Sequence, residues 1–279
     1  MQKLHEKLLQ TMDVFHKFCR KHQLTYYMLG GTMLGAYRHK GFIPWDDDID
    51  IGMPREDYEK LLRLKNELPT GYKIRNHRFE KGIPYAFTHF EDVNTTYIEQ
   101  RRAKDSYVGG VSLEIFPLDY APVTQRGRKW KSYRVRWHKR ILYGLILDDE
   151  KKRSILKRIV ISFIRAFYDM DKTTGHLEKC IRIGDKKSEI YSNPLGHWGI
   201  REDIPKQVFG LPVLYEFEGR AYYGVSLPKQ YLSSLYGSDY MTPPSRAAQE
   251  AGKHPAFVCD LNLPYREYQR NQKKTQNAK

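Results

Sequence analysis

The chain has 279 residues, 40% of them hydrophobic and 21 of them tyrosine, which excludes a disordered polymer and allows a full core in one or two domains. Its formal net charge is +15, and residues 126–165 carry +11 of that excess, with 14 Lys/Arg against Asp148, Asp149 and Glu150. Such a segment attracts a polyanion: nucleic acid, anionic lipid or a phosphate-rich polymer. The three cysteines, Cys19, Cys180 and Cys259, form no CxxC pair, which argues against zinc or redox chemistry and for reduced, mostly buried thiols in a cytoplasmic protein. No uncharged run of about 18 apolar residues exists, and residues 1–22 are charged throughout. Neither a membrane span nor a signal peptide is therefore expected.

In chain order, Leu4, Leu8, Thr11, Met12, Phe15, Phe18 and Cys19 fall on one helical stripe. A short strand over 26–29 runs into Gly30-Gly31-Thr32, followed by a helix over 33–39. The loop GFIPWDD leads to a strand over 48–53, and Pro54 is expected as the first residue of a helix reaching 68. Strands are expected at 72–76, 84–91, 95–99 and 110–116. After Pro117 the chain reads as basic and helical over 124–184. The tail carries strands at 213–217 and 220–225, a helix from Pro228, and a disordered end over 270–279. The expected organisation is a catalytic core over 1–122, a basic helical segment over 123–185 and a C-terminal α/β extension over 186–279. The fold class is α/β (α+β), a mixed sheet flanked by helices.

The chemistry concentrates in DDDIDIGM, residues 46–53. On a strand, alternate side chains share a face, so Asp48 and Asp50 point the same way with Cβ atoms about 7 Å apart while Ile49 and Ile51 point inward. Two adjacent carboxylates repel, and a divalent cation relieves that repulsion. Hard oxygen ligands select Mg²⁺ or Mn²⁺, and Mg²⁺ held by one or two carboxylates plus substrate phosphates is a phosphoryl-transfer arrangement. Gly30, Gly31 and Thr32 lie between a strand and a helix, where backbone N–H groups bind phosphate closely. Glu114, flanked by Leu113 and Ile115, reads equally as the third carboxylate of the site or as an exposed strand glutamate.

The stretch LGGTMLGAYRHKGFIPWDDDIDIGMPREDYEKL, residues 29–61, resembles the signature of the LicD family. DVNTTYIE (92–99), LEIFPLD (113–119) and LPKQYLSSLYGSDYMTPP (227–244) extend the likeness. The resemblance implies a nucleotidyltransferase-like fold with metal on Asp48, Asp50 and Glu114. It also implies a donor such as CDP-choline or a CDP-alditol, a glycan or lipid-linked glycan acceptor, and release of CMP. Two departures stand out: sixteen residues separate Gly31 from Asp48, and glutamate replaces aspartate as the third acid.

Arg38, with His39 and Lys40, either contacts the donor phosphates or sits on a solvated loop. Trp45 and the pair His197-Trp198 are expected to pack in the core, and Tyr236-Gly237 to be architectural. Asp46 and Asp47 either support the metal acids or are solvated. The basic segment 126–165, whose helix 151–168 presents an apolar face, is expected to dock on an anionic membrane at the inner face of the plasma membrane or on a phosphate-bearing glycan, the alternative being that this face packs on the catalytic domain. An NTP-dependent nucleotidyltransferase and a nucleic-acid-binding protein are the competing readings; no nucleic-acid partner is expected.

Overall fold

The structure, a computed structural model, describes residues 1–99, 108–147, 154–252 and 256–277. Its elements are α1 (Gln2–Lys21), β1 (Tyr27–Met28), α2 (Gly30–His39), β2 (Asp50–Pro54), α3 (Arg55–Arg63), β3 (Tyr72–Arg75), β4 (Thr88–Asp92), β5 (Thr96–Glu99) and β6 (Ser112–Tyr120). There follow α4 (Gln125–Ile146), α5 (Ile155–Phe167), α6 (Met170–Ile181), β7 (Ile190–Ser192), β8 (Asp203–Pro205), α7 (Lys206–Phe209), β9 (Val213–Phe217), β10 (Arg220–Gly224), α8 (Pro228–Tyr236), α9 (Arg246–Gly252), β11 (Ala256–Asp260) and α10 (Tyr265–Asn277).

A mixed, curled sheet in the order β1-β2-β6-β4-β3 forms the centre, with β7 and β8 added along the end of β6. Among the described residues only β2 and β6 pair in parallel, and their register sets Asp50 opposite Glu114. Helix α1 buries the expected stripe, together with Leu9, and packs on β4 and β6. Strand β6 runs on to Tyr120, past the expected stop at Pro117. The reason lies in the ladder. The Glu114 N–H donates to Ile49 O, so by alternation the donor missing at Pro117 would face the β4 side. There β4 has already ended its pairing at Thr88–Ile115, so no bond is lost.

Four further boundaries differ from expectation. Pro54 ends β2 and caps α3, whose first residue is Arg55, and α3 stops at Arg63 with a 3₁₀ turn over Leu64–Asn66. Helix α2 starts at Gly30, three residues early, so the glycines form its first turn. The end expected to be disordered is helical through Asn277, because Tyr265 and Tyr268 anchor its first turn against Ile98 and Val258.

One apolar cluster runs from Leu4 in α1 through the sheet to Leu177 in α6, Tyr222 in β10 and Leu235 in α8. Beside it, arginines bind carboxylates in a partly buried network. Arg55 donates to both Asp119 oxygens, and Arg78 to both Glu59 and Glu178. Burial pushes the Glu59 carboxyl up, but the Arg78 hydrogen bond and the charges of Arg78, Arg182 and Arg55 outweigh it and hold the group at about 2, against an ordinary 4.5. A depressed carboxyl stabilises the fold above its unfolded value and loses that contribution as pH falls through its folded value. Denaturant midpoints are therefore expected to fall from about pH 4.5 towards 2, with a shallower dependence in Glu59→Gln. Identical pH dependence in both proteins would reject this assignment.

Candidate active site

The alternation expected of the acidic strand is present. Ile49 is 1% exposed and Ile51 is buried, while Asp48 and Asp50 are partly open. Asp48 itself precedes β2, on the loop that feeds it. Carboxylate oxygens of Asp46, Asp47 and Asp48 lie within 4.8 Å of one another, which adds two acids to the expected pair. The loop is anchored: His5 of α1 donates through Nε2 to Asp46 O at 2.8 Å, and the Tyr97 hydroxyl donates to Asp47 at 3.2 Å. On β6, Glu114 has His89 Nε2 3.6 Å away, the ring brought there by the β4–β6 register.

These acids perturb one another. Burial, then Asp50, Asp46, Glu114 and Asp47, push the Asp48 carboxyl well above the usual carboxylate range. Burial, then Glu114, Asp46 and Glu202, do the same to Asp50. Asp119, the other acid of LEIFPLD, is held by Arg55 in a buried bidentate pair and does not join the cluster.

The start of α2 lies directly against the acids. Gly30 has φ +49°, and a Cβ there would stand 3.3 Å from Asp50 Oδ2; at Gly31 it would stand 2.6 Å from Asp46 Oδ2. The left-handed backbone calls for glycine at Gly30, whereas at Gly31 a Cβ would require the Asp46 carboxylate to swing aside. Thr32 is buried, and its hydroxyl accepts the Asp50 N–H at 2.8 Å, so it ties α2 to β2 instead of facing the cleft. Arg38 is half-buried in the last turn of α2, donates to Tyr240 O at 2.8 Å and lies beside Tyr236. Trp45 is partly buried against the core, as expected.

Two clefts are bordered by the acids, each by different ones. One, about 130 Å³, is lined by Gly30, Gly31, Asp50, Trp198, Glu202 and Tyr236. The other, about 40 Å³, is lined by Asp47, Asp48, His89, Tyr97, Glu99 and Glu114. His197, Trp198 and Tyr236, expected to be packing or architectural, therefore line the first cleft. Trp198 is 37% exposed, and its ring meets Tyr236 edge-on at 5.1 Å. Glu202 accounts for this: its carboxylate accepts the Trp198 N–H at 2.9 Å and an Asn193 amide N–H at 2.8 Å, folding the loop back over the sheet. Burial pushes the Glu202 carboxyl up to about 7. No pattern in the sequence marks Glu202, which sits on a short 3₁₀ turn (Gly199–Glu202) with neither strand nor helix periodicity.

Several oxygen donors converge at the head of two parallel strands and repel one another, facing the N–H groups of a helix start. That donor set fits a hard divalent cation and a phosphate together. The mixed sheet and its acid cluster agree with a nucleotidyltransferase-type domain. Residues 23–147 match the family described as LicD/FKTN/FKRP, nucleotidyltransferase domain. The chain is 27% identical over 262 residues to the lipopolysaccharide cholinephosphotransferase LicD of Haemophilus influenzae, covering 87% of this chain and 91% of that protein. It is 48% identical over 72 residues to an uncharacterized protein of Rickettsia prowazekii, 25% of this chain and 27% of that protein. It is 45% identical over 40 residues to the human ribitol 5-phosphate transferase FKRP, 14% of this chain and 8% of that protein. The likeness supports an enzyme of phosphoryl-group transfer.

Proposed function

We propose that the chain is a cytoplasmic, divalent-cation-dependent enzyme. It moves a phospho-alcohol or phospho-alditol, phosphocholine in kind, from a CDP-linked donor to a hydroxyl of a cell-surface glycan or glycolipid precursor, releasing CMP. The observation that carries this reading is the cluster of Asp46, Asp48, Asp50 and Glu114, which raise one another's carboxyls, with Asp46 and Asp50 set against the glycine-bearing start of α2. The near-full-length likeness to a cholinephosphotransferase supports the nature of the group transferred.

Asp48, Asp50 and Glu114 would hold Mg²⁺ or Mn²⁺, with Asp46 and Asp47 beside them. When bound, the cation neutralises pyrophosphate charge and favours departure of CMP. The first turn of α2 receives the donor phosphates through backbone N–H groups beyond that of Gly30, which donates to the Tyr231 hydroxyl at 3.0 Å, with Gly31 leaving them room to approach. The Trp198–Tyr236 corner offers aromatic faces to a base or a quaternary ammonium. Across the acids, Glu114 receives the proton of the acceptor hydroxyl, with His89 beside it. The hydroxyl oxygen forms the new bond to the distal phosphorus as the bond to CMP breaks, and CMP leaves with that electron pair.

The test is a donor panel. Purified protein with Mg²⁺ is given CDP-choline, CDP-glycerol, CDP-ribitol or nucleoside triphosphates. Consumption of one CDP-alcohol with CMP as the nucleotide product is the expected result. Consumption of a triphosphate with pyrophosphate released would replace this reading with nucleotidyl transfer.

A further inference from the structure

Helix α5 has no buried residue. Its apolar side chains nevertheless follow helical spacing along one face: Ile155, Leu156, Ile159, Val160, Phe163 and Phe167. All six are exposed, Ile155 by 76% and Phe167 by 71%. The helix leans on α4 by its other side. Ile164 packs where Gly144 leaves room, and Arg165 donates to Leu147 O. The apolar face thus points away from the catalytic domain, which rules out the expectation that it packs there.

Helix α4, on which α5 leans near Gly144, carries an exposed set of its own. Trp130, Tyr133, Trp137 and Tyr143 are exposed and recur every three to six residues along one face. Arg126, Lys129, Arg136 and Arg140 are exposed between them, and the Arg134 guanidinium lies 4.6 Å over the Trp130 ring. Lys151, Lys152 and Arg153, which add to the charge of the segment, lie outside the described residues.

We propose that α4 and α5 form a peripheral docking surface for an anionic lipid bilayer. Three properties choose this occupant. Aliphatic and phenylalanine side chains on α5 suit the acyl boundary, and Trp and Tyr favour the headgroup level. The interspersed Lys and Arg complement anionic headgroups, each contributing attraction that salt weakens. A second copy of the chain would oppose one strongly basic face to another, and a nucleic acid would leave the aliphatic face of α5 uncovered. No helix among the described residues is long and apolar enough to cross a membrane, so docking here is at the surface.

The surface is joined to the site. Lys139 of α4 donates to Leu195 O at 2.6 Å and to Gly196 O, and Gly196 borders the Trp198 cleft. Docked on α4 and α5, the protein would present this cleft to a lipid-linked acceptor. That clause rests on the function proposed above, whereas docking itself does not.

The experiment is co-sedimentation of the full chain with phosphatidylcholine vesicles, with and without phosphatidylglycerol, alongside tryptophan emission. Binding is expected only to anionic vesicles, with a blue shift from Trp130 and Trp137 and with release by salt. F163S combined with F167S should lower partitioning by at least ~10-fold, since two aromatic side chains leave the bilayer. K157E combined with R158E should lower it and flatten the salt dependence. All four positions are exposed, so unchanged melting temperatures and unchanged turnover of a soluble acceptor are expected. The proposal is overturned if the wild type stays in the supernatant with anionic vesicles. It is also overturned if the same variants abolish self-association or oligonucleotide binding but leave vesicle binding intact. Failure here with CMP released in the donor panel would remove the docking surface and keep the enzyme.

Discussion

Asp48→Asn and Asp50→Asn are each expected to lower transfer by at least ~10³-fold, the scale of losing a principal electrostatic element of a transition state. Asn keeps the shape and removes the charge that would hold the cation. The fold should survive. Both carboxyls are pushed above their usual range by burial and by neighbouring acids. A carboxyl whose folded value is raised costs stability when it ionises, so at neutral pH without added metal the neutral amide should melt no lower than the wild type. Asp50→Asn also keeps the backbone bond from the Asp50 N–H to Thr32. Near-normal turnover by either purified variant would remove these residues from the site.

Glu114→Gln is expected to lose most turnover while donor binding is largely retained. Glu114 lines the His89–Tyr97 cleft, whereas the α2 turn and Trp198 border the other. The separation predicts a fall in kcat with little change in donor affinity. The nearby rival for this role, Asp119, is already engaged by Arg55. Full activity in Glu114→Gln would show that another acid, with Glu202 the foremost alternative, takes the acceptor's proton.

Much of this arrangement was legible in the sequence where a period of two or of about 3.6 was intact. The α1 stripe and the alternation of Asp48-Ile49-Asp50-Ile51 could be read directly, because burial writes itself into such spacing. Elements whose roles depend on distant contacts were not legible. Trp198, Tyr236 and Glu202 reach the Asp50 cleft through tertiary folding of a loop and α8, and no local pattern reports that. Thr32 was read through the backbone of its turn, and the service its hydroxyl gives to the backbone of β2 is a tertiary contact that no spacing reports. The exposed face of α5 follows an ordinary amphipathic pattern, and only its lack of a covering element separates it from a core helix. Asp46 and Asp47 read either as support for the metal acids or as solvated residues, because their approach to Asp48 depends on the turn held by His5 and Tyr97.

The central claim is that the carboxylates at the head of β2 and β6 carry cation-dependent transfer of a phosphate-linked group. Phosphorus NMR of a complete reaction, with donor, acceptor glycan and purified chain, reads that claim directly. The predicted result is a new phosphodiester on the acceptor, matched one to one by CMP, absent in excess chelator and restored by Mg²⁺ or Mn²⁺. Transfer that continues undiminished in excess chelator, or a nucleotide found attached to the acceptor, would contradict it.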